Sequence, residues 1–209
     1  IIAGSLSGQG FTISPTEALI TTEFGASDTL KINLTSLPTS DVRIPVSVSD
    51  TTEGSVSVSE VIFTSSNWET VQSIVVKGEN DDEQDGDVYY TLTLSAAVSD
   101  DGSYNGLDPA DVSATNYDDD RVAVEIYPTG GIIVSERGEN AVISVRLDSK
   151  PKADVFVGLT SSDPSEGTVF PSSLTFNTEN WSDYQSVMVE GVSDGIADSD
   201  EIFSVIFFQ

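Results

Sequence analysis

Apolar and polar residues alternate along most of the chain with a period of two. In the segment TLKINLTSL, Leu30, Ile32 and Leu34 lie on one face of an extended chain, and the polar residues between them lie on the other. The same alternation recurs in DVRIPVSV, VQSIVVKG, VYYTLTLS, AVISVRL and DVFVGL. Clusters of Gly, Pro, Asp, Asn and Ser separate these segments, and none has a sustained helical period. The pattern predicts short, half-buried β-strands joined by turns.

The sequence also repeats itself. Its two halves align without a gap at an offset of about 113 residues, with about 27 identities in about 88 pairs. The anchors are turn residues and one Asn-Trp pair: Glu53-Gly54 with Glu166-Gly167, Asn67-Trp68 with Asn180-Trp181, and Gly78 with Gly191. A repeat of this length corresponds to a domain.

The repeat and the alternation together predict the fold. About seven short strands in roughly 110 residues are typical of an antiparallel β-sandwich of immunoglobulin-like type. We therefore predict an all-β fold of two tandem immunoglobulin-like antiparallel β-sandwiches, in residues 9–121 and 122–209. We expect the second repeat to be C-terminally truncated, because it has no counterpart of GLDPADVSATNYDDD. Residues 1–8 are expected to end a preceding linker.

Composition excludes several classes of function. The formal net charge is −27, from eight Lys plus Arg and 35 Asp plus Glu, so nucleic acid would be repelled. Cysteine and histidine are both absent, which removes thiolate chemistry, an imidazole base and ordinary catalytic zinc. No apolar run approaches the roughly 20 residues of a membrane span. We expect a non-enzymatic protein that binds no nucleic acid and does not insert into membranes through this segment.

The acidic residues are concentrated in particular loops. About thirteen carboxylates and no Lys or Arg occur between Glu79 and Asp120. Six acids recur in both repeats at the same offset: Glu23 and Glu136, Asp50 and Asp163, Glu53 and Glu166, Asp81 and Asp194, Asp85 and Asp198, and Asp87 and Asp200. Alternate loops of a sandwich meet at the same end, so we expect these acids to converge there. An acidic surface that only maintains solubility is the alternative.

Calcium explains such convergence. It takes six to eight oxygen ligands and tolerates irregular geometry, whereas magnesium requires a stricter octahedron. Two or more ions would offset the repulsion among the three consecutive aspartates of NYDDD and their neighbours. We therefore predict calcium ions as bound partners.

The ordered set of acids resembles the Calx-beta domain, which is known from sodium–calcium exchangers, an integrin β chain and large bacterial surface proteins. The set comprises an early Glu, an Asp after the third strand, an Asp-rich loop before VYYTLTLS, and the closing NYDDD. The resemblance implies calcium ligands at Glu23, Asp50, Asp81, Asp82, Asp118, Asp119 and Asp120, and at Glu136, Asp163 and Asp194. The recurring acids Glu53 and Asp85 complete the candidate metal site.

The second repeat departs from this set, because Asp82 is replaced by Gly195 and the closing triplet is absent. The stretch from Asp50 to Trp68 also departs from the family pattern, since it carries TTEGSV and FTSSNW. We expect a weaker calcium site in the second repeat.

Three functions fit these features. The leading hypothesis is a pair of calcium-binding extender domains of a large extracellular or cell-surface protein, such as an adhesin or matrix protein, with calcium rigidifying the junction between neighbouring domains. The alternatives are a module that binds glycan or a host or matrix protein, and a calcium sensor within a membrane transporter. Trp68 and Trp181 could form sugar platforms, but large rings usually bury most of their surface, which favours a core position. Pro45, within a strand pattern, predicts an edge strand.

Overall fold

The computed structural model describes residues 10–193, 195 and 200–208. These residues form β-strands and connecting loops, which confirms the all-β fold class. No helix within these ranges is long and apolar enough to cross a membrane.

The described chain divides into two compact units, and the first consists of residues 10–81 and 85–119. Its strands are, in chain order, β1 (Phe11–Ser14), β2 (Leu19–Thr22), β3 (Ser27–Leu34), β4 (Val42–Val48), β5 (Gly54–Val56), β6 (Glu60–Phe63), β7 (Gln72–Gly78), β8 (Val88–Leu94), β9 (Val98–Ser99) and β10 (Val112–Tyr117).

Two sheets form the sandwich of the first unit. One has the strand order β1-β3-β7-β5, and the other has the order β2-β10-β8-β4-β6, with β9 also paired to β4. These pairs are antiparallel except for β2 and β10, which run parallel. Inward side chains of both sheets form one apolar core. Leu30, Ile32 and Leu34 are fully buried in it, so the face predicted from the alternation is confirmed.

The second unit consists of residues 82–84 and the described residues from 120 onward. Its strands are β11 (Val124–Tyr127), β12 (Asn140–Leu147), β13 (Val155–Ser161), β14 (Gly167–Phe170), β15 (Ser173–Phe176), β16 (Gln185–Gly191) and β17 (Val205–Phe208). They form one sheet of order β11-β12-β16-β14 and another of order β15-β13-β17, with a separate apolar core.

Strand pairing in the second unit repeats that of the first in the same register. Val46 faces Leu94 across β4 and β8, and the aligned residues Leu159 and Phe207 face each other across β13 and β17. The pairings of β1 with β3, β3 with β7, β5 with β7 and β4 with β6 recur in the same way. The sequence repeat is therefore a repeat of strand order and register. Within the described residues, the second unit has no strand corresponding to β2, β9 or β10.

The recurring Asn-Trp pair has a structural role. Asn67 and Asn180 each accept a bond from the backbone N–H three residues earlier, and each donates to the carbonyl five residues earlier. Trp68 and Trp181 follow these turns and pack, partly buried, against their respective cores. The core position expected for both rings is confirmed.

The edge position predicted from Pro45 is wrong, because β4 lies between β8 and β6 in its sheet. Pro45 pairs with Glu60 on one side, and its carbonyl accepts from the Ser95 N–H on the other at 3.0 Å. The strand β8 has ended at Leu94 and β9 begins only at Val98. The missing N–H of the proline therefore falls in a gap between two partner strands, where it costs no ladder bond.

Candidate metal centre

Loops at one end of the first unit bring four carboxylates together. Glu23 follows β2, Glu53 ends the turn before β5, and Asp81 and Asp85 lie in the loop between β7 and β8. Single carboxylate oxygens of Glu53, Asp81 and Asp85 lie within 4.8 Å of one another, and one oxygen of Glu23 lies within 4.8 Å of one of Asp81. We call these four residues the acidic cluster. Asp81 is common to both parts of it.

Two members of the acidic cluster are almost completely buried. Glu23 and Glu53 are each 5% exposed. Asp81 is half-buried and Asp85 is exposed, so the cluster opens to solvent on the side of the loop between β7 and β8. Burying a carboxylate costs several kcal/mol unless it is compensated by hydrogen bonds or opposite charge. Two buried acids beside two further acids therefore form an unusual arrangement.

The turn at Asp50 positions Glu53. Asp50 Oδ1 accepts bonds from the Thr52 N–H at 3.0 Å and from the Thr52 hydroxyl at 2.6 Å. The Gly54 N–H donates to the Asp50 carbonyl at 3.2 Å, which closes the turn. A Cβ at Gly54 would lie 2.6 Å from the Tyr90 ring, so this position requires glycine. The bonds from Thr52 lower the pKa of the Asp50 carboxyl. In this structure one oxygen of Asp50 thus stabilises the turn.

A buried network of hydrogen bonds holds Glu53 in place. Asn116 donates from Nδ2 to Glu53 Oε2 at 3.3 Å and to the Glu79 carbonyl at 2.9 Å. The hydroxyl of Thr21 donates to Asn116 Oδ1 at 3.0 Å and lies 3.1 Å from the Tyr90 hydroxyl. Thr21, Tyr90 and Asn116 are all buried. The network fixes the amide so that its donor group faces the carboxylate.

The environment of Glu53 disfavours its charged form. Burial is the largest effect and raises the pKa of the Glu53 carboxyl above its ordinary value. The bond from Asn116 acts in the opposite direction, and the negative charges of Asp85, Asp50 and Asp81 raise the pKa further. A cation in the acidic cluster would reverse this balance, because it favours the charged form.

The closing aspartates are held in different ways. Asp118 Oδ2 accepts from the Gly86 N–H at 2.6 Å, and the Asp119 N–H donates to Glu23 Oε2 at 3.4 Å. Asp118 and Asp119 thus lie beside the loop between β7 and β8 and beside Glu23, respectively. Asp120 is half-buried and belongs to the second unit. Asp82 also belongs there, and its carbonyl accepts from the Lys150 N–H at 2.7 Å.

The predicted ligands of the second repeat are not brought together in the same way. Glu136 and Asp163 are exposed, and Asp163 accepts two bonds from Ser165, as Asp50 does from Thr52. Those bonds lower the pKa of Asp163. Asp194 lies outside the described residues. Among the described residues of the second unit, no three acids approach within ligand distance.

The described part of the second unit also lacks two residues of the supporting network. Phe203 aligns with Tyr90 and Val134 aligns with Thr21, so both hydroxyls are missing. Sequence reasoning did not find the network in the first unit. The sequence does contain one signal for it. In VSATNY the alternation places Val112, Ala114 and Asn116 on the inward face, so Asn116 is a polar residue at a buried position. A buried amide needs partners, and the acidic cluster supplies one.

No family model matches the chain, and no curated protein matches it. Similar solved structures include CBD12 from CALX1.2, with a TM-score of 0.42 at 12% identity, over 95% of this chain and 79% of that chain. Calcium binding domain CBD12 of CALX1.1 has a TM-score of 0.41 at 12% identity, over 88% of this chain and 76% of that chain. The YadV chaperone has a TM-score of 0.39 at 11% identity, over 94% of this chain and 91% of that chain. The β-sandwich assignment therefore depends on the strand order and registers described above.

Proposed function

We propose that the first unit binds calcium at Glu23, Glu53, Asp81 and Asp85. The observation that carries this proposal is the burial of Glu23 and Glu53 in one cluster with two further carboxylates. Each buried charge adds a desolvation cost, and the neighbouring charges add repulsion. A divalent cation offsets both effects.

The chemistry of the donor set favours calcium over other metals. All four side chains offer carboxylate oxygens, and the chain contains no cysteine or histidine for softer metals. The carboxylates come from three separate loops, so the site can adjust to the variable coordination number of calcium. Asp118 and Asp119 contact the same loops through their bonds to Gly86 and Glu23.

The test is calorimetric titration of the chelator-treated chain with calcium. Wild-type protein should bind calcium, and Asp81→Asn should weaken binding by roughly tenfold or more, because Asp81 joins both parts of the acidic cluster. Asp41→Asn is the matched control, since Asp41 is an exposed acid outside the cluster and loses the same charge. Absence of binding at millimolar calcium, or equal weakening by both substitutions, would contradict the proposal.

We further propose a structural role for the bound ion. A ligand that binds only the folded state adds about 2.7 kcal/mol when present at 100 times its dissociation constant. Calcium would therefore stabilise the first unit as an extender domain of an extracellular or cell-surface protein without catalytic activity. Chelation should lower the melting temperature of the wild-type chain more than that of Asp81→Asn, by about twice as much if the substitution weakens binding tenfold. Equal shifts in both proteins would contradict this role.

A further inference from the structure

The outer face of the sheet β11-β12-β16-β14 carries an apolar stripe. Met188 on β16 lies opposite Val142 on β12 and opposite Phe170 on β14. Tyr127 on β11 lies opposite Ser144, which places its ring on the diagonal to Val142 and within reach of it. Tyr127, Val142 and Phe170 are 66%, 54% and 70% exposed. Met188 is half-buried between its two neighbours. The stripe thus crosses all four strands on the side away from the core.

The corresponding face of the first unit is polar. The aligned pairs are Tyr127 with Ser14, Val142 with Thr29, Met188 with Val75, and Phe170 with Ser57. Two further positions on this face change charge, because Lys31 and Lys77 align with Ser144 and Glu190. The sheets β1-β3-β7-β5 and β11-β12-β16-β14 share strand order and register, so the difference lies in the side chains alone. The second unit has an apolar, negatively charged face where the first has a polar face with two lysines.

Polar groups on the two sides of the stripe differ in charge. On one side the Arg146 guanidinium bonds Glu125 at 2.6 Å and lies 4.8 Å from the centre of the Tyr184 ring, so this cation is matched by a carboxylate. On the other side Asn140 donates to Glu190 Oε1 at 3.2 Å. The amide is neutral, so it orients the Glu190 carboxylate without cancelling its charge. The stripe therefore lies between a neutral ion pair and a negative charge.

We propose that this face binds a basic amphipathic helix of a partner protein. The face of a sheet presents side chains, whereas its backbone groups are directed along the sheet, so an occupant must bury a side-chain surface. A helix satisfies its own backbone hydrogen bonds and presents an apolar stripe with polar residues beside it. The three spacings from β11 to β14 amount to about 14 Å, the length of roughly ten helical residues.

Charge complementarity determines the polar side of that helix. Lysine or arginine beside its apolar stripe would lie near Glu190, and the whole chain carries a formal charge of −27. A second copy of this chain is the competing occupant, but two copies repel each other, and an anionic lipid surface would be repelled in the same way. The charge balance therefore favours a basic helix over both.

The test is calorimetric titration of the full chain with an amidated peptide of leucine and lysine, whose leucines recur every three or four residues. The peptide should bind. A peptide of equal charge, with alanine in place of every leucine, should bind at least roughly tenfold more weakly. Chelator is present throughout, so the result does not depend on calcium binding by the first unit.

Amide NMR shifts of the same samples locate the contact without any substitution. Shifts caused by both peptides report general attraction to the acidic chain. Shifts caused only by the leucine peptide should fall on β11, β12, β14 and β16, and the aligned strands β1, β3, β5 and β7 of the first unit should be unaffected.

Two matched pairs of variants test the side chains. Phe170→Ser introduces the residue that the first unit has at this position, and it should weaken binding of the leucine peptide by roughly tenfold. Phe156→Ser removes a similarly exposed ring from the other sheet and should leave binding unchanged. Glu190→Lys should weaken binding more than Glu179→Lys, which makes the same charge change in an exposed turn.

Three results would overturn the proposal: equal binding of the leucine and alanine peptides, specific shifts outside the four strands, or equal binding by Phe170→Ser and Phe156→Ser. Sedimentation of the chain alone addresses the competing occupant. Dimers that form in the wild type and are lost in Phe170→Ser would assign the face to a second copy and would also overturn the proposal.

Discussion

Asn116 donates its amide to Glu53 across 3.3 Å, and this bond joins the last strand of the first unit to the acidic cluster. Both residues are buried, and Asn116 also receives the hydroxyl of Thr21 at 3.0 Å. The bond therefore couples the packing of the core to the position of a proposed ligand.

Replacing Asn116 should destabilise the first unit. Asn116→Ala leaves the Thr21 hydroxyl without this acceptor and Glu53 without this donor, and the expected loss is about 1–3 kcal/mol in the free energy of unfolding. Denaturant unfolding of the calcium-free chain measures it. Asn105→Ala is the control, because Asn105 is exposed and its Oδ1 accepts the Ser99 N–H at 3.2 Å, an exposed bond that water can replace, so its loss should cost about 0.5 kcal/mol or less. Equal losses in the two variants would show that the network contributes no stability.

Glu53→Gln should stabilise the calcium-free protein at pH 7 and weaken calcium binding. The pKa of Glu53 is raised above its ordinary value of 4.5, mainly by burial. Its contribution to stability is therefore fully present below pH 4.5 and is lost as the pH rises through the folded-state pKa. Glutamine stays neutral, so the gain should appear at neutral pH and vanish below about pH 4.5.

The free energy of unfolding of Glu53→Gln and of the wild type, measured between pH 4 and pH 7 with chelator present, shows whether the substitution stabilises the protein. Glu17→Gln removes the same charge from an exposed position and serves as the control. A loss of stability of equal size at both ends of the pH range would contradict the expected effect of burial.

Gly78→Ala should destabilise the first unit by about 2 kcal/mol or more, because overpacking forces backbone shifts. A Cβ at Gly78 would lie 2.5 Å from the carbonyl oxygen of Thr22 and would also meet the Asn116 side chain. Thermal unfolding measures the loss. Gly102→Ala is the control, since no atom lies within 4 Å of its added Cβ, and it should be neutral or slightly stabilising. Similar melting temperatures for the two variants would be inconsistent with the close approach.

The hypothesis that calcium limits bending between the repeats stays a prediction from the sequence. Asp118, Asp119 and Asp120 end the first repeat two residues before the alternating segment VAVEIY opens the second. Small-angle scattering should give a more sharply defined maximum dimension with calcium than with chelator. Replacing Asp118 and Asp120 by Asn should remove the difference while both sandwiches stay folded. A profile that is the same with and without calcium would refute the hypothesis.

The local parts of the fold could be predicted from the sequence. Alternation identifies the inward residues of β3 because it is a property of neighbouring residues, and the repeat identifies the shared registers. The parallel pairing of β2 with β10 could not be predicted. It joins Leu19 to Ala114, which are far apart in the sequence, and β2 is only four residues long.

The sequence also predicted part of the candidate site. Recurrence singled out Glu53, Asp81 and Asp85, which the structure brings together. Asp50 also recurs, as Asp163, but in this structure both accept bonds that stabilise a turn. An acid with that role is repeated between domains just as a metal ligand would be. The sequence could not separate the two roles, since both need an acid at a fixed place in a loop.

The parallel ladder of β2 and β10 has a mechanical consequence. Four residue pairs join these strands, from Leu19 with Ala114 to Thr22 with Tyr117. Tension applied between Leu19, where β2 begins, and Tyr117, where β10 ends, pulls the two parallel strands past each other. The ladder is then loaded in shear, so its hydrogen bonds must break together rather than one after another. Tension in this direction therefore acts on all four residue pairs together, and the ladder resists it more than it would resist being opened from one end.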